Sequence, residues 1–302
     1  MPLAYTFEHQ ISCPDDLCAV VINHLPDGFP AHSHQYVEIF IALTGSSDHL
    51  IAHQRYRINT GDVYVLQGDI VHGFEHATPD FSICNVLIRE DVACLFTEQL
   101  RTLPGYQALF LLEPAHRRWQ EFPSRLRLGG PQVQEVLTLL HRLKDELTHR
   151  QQGTTAMVQA VLLQLIIVLC RRYASLEDDE TANLLRLSEA VIYLEAHIRQ
   201  PIRVSELARI AHISERHFLR LFRKIYQLPP MARILQLRIQ HACALLRTGT
   251  VNVTDAAYAS GFQDSNYFSR QFRRLVGCSP REYRCRGHQL SIDEISSPHM
   301  GE

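Results

Sequence analysis

A chain of 302 residues, 46% of them hydrophobic, is long enough to bury two separate cores. The formal net charge of -2 hides an asymmetry: residues 184–286 hold 17 Arg plus Lys against 7 Asp plus Glu, whereas residues 1–183 hold 13 against 22. A basic half joined to an acidic half predicts one part for nucleic acid and one for a different task, and eight scattered cysteines with no C-x-x-C exclude a zinc ribbon or a thioredoxin-like site.

Pro14-Asp15-Asp16 marks a turn, and residues 1–25 otherwise carry little pattern. From Phe29 to Arg89 short apolar, β-branched and aromatic runs alternate with Gly and Asp turns. Strands are predicted at 36–43, 55–58, 63–66 and 81–88, with stops at Thr44-Gly45-Ser46-Ser47-Asp48, Asn59-Thr60-Gly61-Asp62 and Gln67-Gly68-Asp69. That spacing predicts an antiparallel barrel or jelly roll. Within it, His32, His34 and Glu38 share one parity and would face one side of a continuous strand. Gly28-x-x-x-His32-x-His34-x-x-x-Glu38-x-x-x-x-x-x-Gly45, followed by Gly61-Asp62 and His72, resembles the two cupin motifs. The resemblance implies three histidines and a glutamate around one divalent metal, at His32, His34, Glu38 and His72. With or without metal, a pocket lined by His32, His34, Tyr36, Glu38, Tyr64 and His72, flanked by Phe74 and His76, suits a small polar effector.

Leu103-Pro104-Gly105-Tyr106 reads as a turn and 107–128 as an irregular connection. Gly129-Gly130-Pro131 opens a helix with Val133, Val136, Leu137, Leu140, Leu143 and Leu147 at spacings of three and four. A second helix, about 154–173, is apolar nearly all round. One of the two is expected to cover the barrel and the other to pair in a homodimer. Residues 174–183, with Glu177-Asp178-Asp179-Glu180, read as the linker after a 1–173 sensor domain. No leader begins the chain and its longest apolar run, Val161 to Cys170, is too short for a membrane span, so a cytoplasmic protein with reduced thiols is expected.

A helix at 184–199 is followed by V-S-E-L-A-R-I-A-H-I-S-E-R-H-F-L-R-L-F-R-K-I from Val204. The pattern returns about 49 to 50 residues later around Ala256, Ala257, Gly261 and Phe262. Each copy predicts a short helix, a tight turn and a second helix with an apolar stripe: Phe218, Phe222 and Ile225, then Tyr267, Phe268, Phe272 and Leu275. His212 stands where the second copy has Gly261, a left-handed position that His occupies at some cost. A single helix, 231–246, joins the copies. The string A-x-x-x-G-F-x-D-x-x-Y-F-S-R-x-F-R-R-x-x-G-x-S-P-x-x-Y-R resembles the C-terminal signature of the AraC/XylS family of bacterial transcription regulators.

The resemblance implies an α+β chain of two domains: a cupin-like antiparallel β-barrel with flanking helices, then an all-α double helix-turn-helix domain over 184–286, with a disordered tail at 287–302. It also implies that the family's arabinose-type and rhamnose-type sensors hold a small organic ligand, a sugar included, without metal. The expected partners are promoter DNA, the effector and RNA polymerase, and activation is the expected sign. The exposed faces of the second helices put Arg216, His217 and Arg220, and Ser265, Asn266 and Arg270, on base edges. Lys224 and Arg273, with Arg223 and Arg274, fall where phosphates run. The regulator reading makes the chain no enzyme. The other reading is a metal-dependent cupin enzyme fused to a DNA-binding domain.

Overall fold

The computed structural model describes residues 3–286 except 12, 14, 52–53, 69, 90–96 and 119–125, so Cys94, Pro14 and the tail 287–302 lie outside the described residues. The chain divides into two compact units, Met1–Ser188 and Glu189–Glu302.

Among its described residues the first unit carries ten strands: β1 (Leu3–Tyr5), β2 (Cys18–His24), β3 (Phe29–His34), β4 (Val37–Thr44), β5 (Ser46–Ile51), β6 (Gln54–Asn59), β7 (Asp62–Leu66), β8 (His72–Glu75), β9 (Ser82–Ile88) and β10 (Leu126–Arg127). They form two five-stranded sheets, ordered β1-β3-β8-β5-β6 and β10-β7-β4-β9-β2. No strand pairing among the described residues closes one sheet onto the other. Every pair is antiparallel except β1 with β3. Phe40, Tyr64 and Ile83 of one sheet and Ile51, Tyr56, Ile58 and Phe74 of the other form a common core. The barrel expectation thus becomes a two-sheet sandwich of the same class.

Two strands lie where none was expected. β2 falls within the low-signal stretch 1–25 and pairs along its whole length with β9. β5 begins at Ser46, inside an expected turn, and its polar residues hide its alternation: Ser47, His49 and Ile51 are the buried positions. β3 and β4 belong to different sheets, so His34 and Glu38 are not on one continuous strand; the chain crosses between sheets at Gln35-Tyr36.

The expected irregular connection after residue 107 is helical. Pro104–Tyr106, a π-helical segment Gln107–Leu112 and Glu113–Arg117 run on as one helix, α1. Pro104 sits in its first turn, where a missing N–H is harmless. Helices α2 (Gly130–His149) and α3 (Thr154–Ala174) follow. α2 buries Val136, Leu139, Leu140 and Leu143 and packs on α3 and β2. α3 also packs on the start of α1. Gly105 lets it come close there, since a Cβ would strike the Cys170 carbonyl. The 21 residues of α3 are long and apolar enough to cross a membrane, with a mean hydropathy of 1.8 over its best window. Length and composition alone give that result, and Val161, Leu162, Leu165, Leu169 and Tyr173 of the same helix are buried within the first unit, as in the core helix of a folded domain.

α4 (Asp179–Ala196) starts earlier than expected, inside the stretch read as a linker, and leaves only 175–178 between it and α3. Asp179 and Glu180 occupy its first turn, where the helix dipole favours acids, and Asp178 caps it by accepting from Thr181 N at 2.9 Å.

The second unit contains α5 (Val204–Ile210), α6 (Glu215–Tyr226), α7 (Pro230–Arg247), α8 (Val253–Ala259), α9 (Ser265–Val276) and α10 (Pro280–Arg286). His212 and Gly261 adopt the left-handed conformation at the two turns, with φ of 53° and 85°. Glycine is needed at the second: a Cβ there would lie 2.7 Å from Arg199 Cα. Phe218, Phe222 and Ile225 are buried in the first reader, and Phe268 and Phe272 in the second. Tyr267 is not part of that inward stripe; it is 43% exposed.

Candidate functional site

The first site lies where β3, β4 and β8 bring three histidines around a carboxylate. His34 Nε2 is 2.8 Å from Glu38 Oε2, and His72 Nε2 is 3.5 Å from the same oxygen. His34 Nδ1 lies 2.9 Å from the Tyr36 carbonyl and His32 Nδ1 lies 3.0 Å from the Pro30 carbonyl. A carbonyl only accepts, so both Nδ1 atoms carry the proton and both Nε2 atoms turn inward. His32, His34, Glu38 and His72 are all buried. Burial holds His32 below its ordinary 6.5 and holds His72 well below it, which keeps both rings neutral.

One ligand atom each from His32, Glu38 and His72 fall within 4.8 Å of one another. Neutral imidazoles whose second ring nitrogen is held by a neighbour are the donors a divalent transition metal takes, and here the Pro30 carbonyl holds His32 Nδ1 while His72 Nδ1 faces His49 Nε2 at 3.5 Å. His72 Nε2 is buried without a protein partner, so the triad fits such an ion. His34 stands beside this set, paired to Glu38, and is not among the three.

A cavity of about 130 Å³ opens beside the triad. His32, Tyr36 and Glu38 line it with Phe29, Phe74 and Asn85, whereas His34, Tyr64 and His72 do not. Tyr64 belongs to the core and stacks on Phe40 at 5.0 Å. His76 is a surface residue, bound to Asp48 at 3.1 Å. Sequence reasoning did not find Gln10, Asn23, Asn85 or His49. The first three line the cavity, or bound it, from segments with no motif. His49 is a fully buried ring on β5, with Nε2 at 3.5 Å from His72 Nδ1.

The second site is the outer face of α6 and α9. Ser214 caps α6 by accepting from His217 N, and Asp264 caps α9 by accepting from Tyr267 N at 2.7 Å. These caps fix where each helix begins, and so which residues stand at its leading end. Arg216, Arg220, Asn266, Arg270 and Arg273 are exposed; His217, Lys224 and Ser265 are half-buried. Tyr267 joins Asn266 and Arg270 on the open surface of α9. No side-chain hydrogen bond or ion pair ties Arg216, Arg220, Arg270 or Arg273 to any described residue. The caps, buried aromatic stripes and left-handed turns form two helix-turn-helix modules joined by α7.

A model of the AraC-like ligand binding domain matches residues 18–166, and a model of the helix-turn-helix domain matches residues 207–286. The HTH-type transcriptional activator RhaS of Escherichia fergusonii is 32% identical over 278 residues, which cover 92% of this chain and 95% of that one. RhaS of Klebsiella pneumoniae is 31% identical over 256 residues, covering 85% and 87%. The crystal structure of a transcriptional regulator with an AraC-type DNA-binding domain, from Chromobacterium violaceum, shares 30% identity over 35% of this chain and 95% of that one, with a TM-score of 0.33. The chain belongs to the AraC family of DNA-binding transcription regulators, with a cupin-like ligand-binding domain ahead of its helix-turn-helix domain.

Proposed function

We propose that this protein is an activator, working in the cytoplasm, that binds promoter DNA through two readers in response to a small neutral, hydroxyl-rich effector of the monosaccharide class. The observation that carries the DNA half is the set of exposed arginines on α6 and α9 that no described residue engages, since uncommitted guanidinium groups are free to meet bases and phosphates. Arg216, His217 and Arg220 serve one groove segment; Ser265, Asn266 and Arg270, joined by Tyr267, serve the other. Lys224 and Arg273 hold phosphates. Activation rests on the likeness to RhaS activators along most of the chain and implies contact with RNA polymerase; α2 and α3 offer a helix pair for a homodimer.

The effector class follows from the cavity walls. Glu38, Asn85, Asn23, Gln10, His32 and two tyrosines offer hydrogen-bond partners, Phe29 and Phe74 offer apolar faces, and no Lys or Arg is present. A wall that carries the Glu38 carboxyl and no Lys or Arg disfavours sugar acids and phosphorylated sugars and favours neutral hydroxyls. The barrel on this reading is a sensor and not an enzyme. A second reading is supported by the triad: a divalent metal held by His32, Glu38 and His72, which supplies Lewis-acid polarisation to a ligand oxygen when bound.

A thermal-shift screen of the full chain tests both. A neutral aldose is expected to raise the melting point, because it binds only the folded state, and sugar acids are expected to leave it unchanged. His32→Ala with Glu38→Ala is expected to abolish that shift while DNA binding in the absence of effector persists. A double variant that still responds would move the pocket elsewhere. Zinc or nickel shifting the wild type, but not His72→Ala, would establish the second reading.

A further inference from the structure

Glu113 and Arg117 form an ion pair inside the first unit, at 2.8 Å and 3.1 Å, with each residue 2% exposed. Arg117 lies over the rings of Tyr56 and Tyr64, with Cζ 4.6 Å and 4.8 Å from their centroids. Tyr64 meets His49 edge-on at 5.2 Å, His49 meets His72 at 3.5 Å, and His72 meets Glu38 at 3.5 Å in the cavity wall. On the other side, Glu113 faces the Tyr173 hydroxyl, and Tyr173 faces the Thr181 hydroxyl. Thr181, fully buried, is the residue whose N–H Asp178 caps at the start of α4. A continuous buried line thus runs from the cavity to the first turn of the helix that leads out of this unit.

Two features set the line apart from ordinary core. It centres on a charge pair, where apolar residues of the same shape are as stable or more so. It is also incompletely closed: among the described residues, His72 Nε2, His49 Nδ1, Glu113 Oε2 and the Tyr173 hydroxyl are buried without a full hydrogen bond. Folded proteins carry few such atoms, and each costs desolvation energy that a new hydrogen-bond partner recovers. Four on one line form a linked set in which engaging one end alters what the next can reach.

We propose that this line couples the cavity to α4, with Glu113, Arg117 and Tyr173 as positioning residues that transmit the state of Glu38 to the Asp178–Thr181 cap. An effector hydroxyl that engages Glu38 or His32 changes the contact with His72. The shift then passes through His49, the Tyr64–Arg117 stack and the Glu113–Tyr173 contact to the cap. The proposal rests on the cavity being the effector site, yet its test uses no effector, so either can fail without the other.

The test is amide hydrogen exchange of residues 179–188 in the full chain, in a cycle of four proteins: wild type, Glu38→Gln, Tyr173→Phe and the double variant. Glu38→Gln is expected to change exchange in the first turn of α4 by about tenfold, within the span usual for coupled sites, and to have no effect there once Tyr173 is phenylalanine. Tyr173→Phe removes one hydroxyl and keeps the ring, so folding is retained. Glu113→Leu with Arg117→Met cuts the line at its centre and is expected to abolish the same response. If Glu38→Gln leaves α4 unchanged, or changes it equally with and without the Tyr173 hydroxyl, the proposal is overturned.

Discussion

Affinity of the full chain for a duplex carrying its site is expected to fall by about 10³- to 10⁵-fold between ~50 and ~200 mM salt, as for proteins that neutralise roughly six to ten phosphates. The cations available for this are Arg216, Arg220, Arg223 and Lys224 on α6, and Arg270, Arg273 and Arg274 on α9. Each one seated on DNA releases condensed counterions, so the slope of log affinity against log salt counts them. Arg273→Ala is expected to reduce that slope by about one and to weaken all sequences alike, since a phosphate contact carries no base information. Fluorescence anisotropy over a salt series reads both quantities. A flat salt dependence would mean these cations do not face the duplex.

Glu113→Ala is expected to destabilise the first unit by about 3–5 kcal/mol, among the larger effects of a single substitution. Arg117 cannot shed its proton to escape the loss, because guanidinium stays charged throughout the accessible pH range. The variant removes the carboxylate that meets this guanidinium at 2.8 Å in a core lined by Tyr56 and Tyr64. Replacing both partners, Glu113→Leu with Arg117→Met, is expected to restore near-native stability, since the buried pair is removed as a unit. Denaturant titration of the three proteins separates the cost of breaking the pair from the net contribution of the pair. Equal stability of Glu113→Ala and wild type would place Arg117 in contact with water.

The helical half of the molecule was largely legible in the sequence. Gly261, the small residues Ala256 and Ala257, and the phenylalanines at 268 and 272 are local signals at fixed spacing, and they recur in the first reader. Tyr267 misled because it falls between the inward and outward faces; only packing shows its ring lying open beside Phe262, with centroids 6.3 Å apart. In the first unit, the histidines and Glu38 were legible as a group but not as a geometry. They come together across two sheets through a corner at Gln35-Tyr36, which parity along one strand does not describe. β5 was hidden because polar residues, Ser47 and His49, occupy its inward positions. α1 was hidden because Pro104, Gly105 and Pro114 read as breakers, although Pro104 stands in a first turn and Gly105 is there for close contact with α3. Glu113 and Arg117 look like surface charges in any sequence. Their burial is a property of the assembled core, and so is the line they form toward α4.

On the proposed function, one chain reads two separate stretches of promoter DNA, one with α6 and one with α9. The 18 residues of α7 between the modules span about 27 Å, and the flanking helices extend the reach toward the roughly 34 Å repeat of the major groove. Selection of bound sequences from a random pool, run with wild type, Arg216→Ala/Arg220→Ala and Asn266→Ala/Arg270→Ala, tests this most directly. The expected result is a bipartite site in which the first variant relaxes preference in one segment and the second relaxes it in the other, each good bidentate contact being worth about 1–3 kcal/mol. Loss of preference at the same bases in both variants, or at none in either, would contradict it.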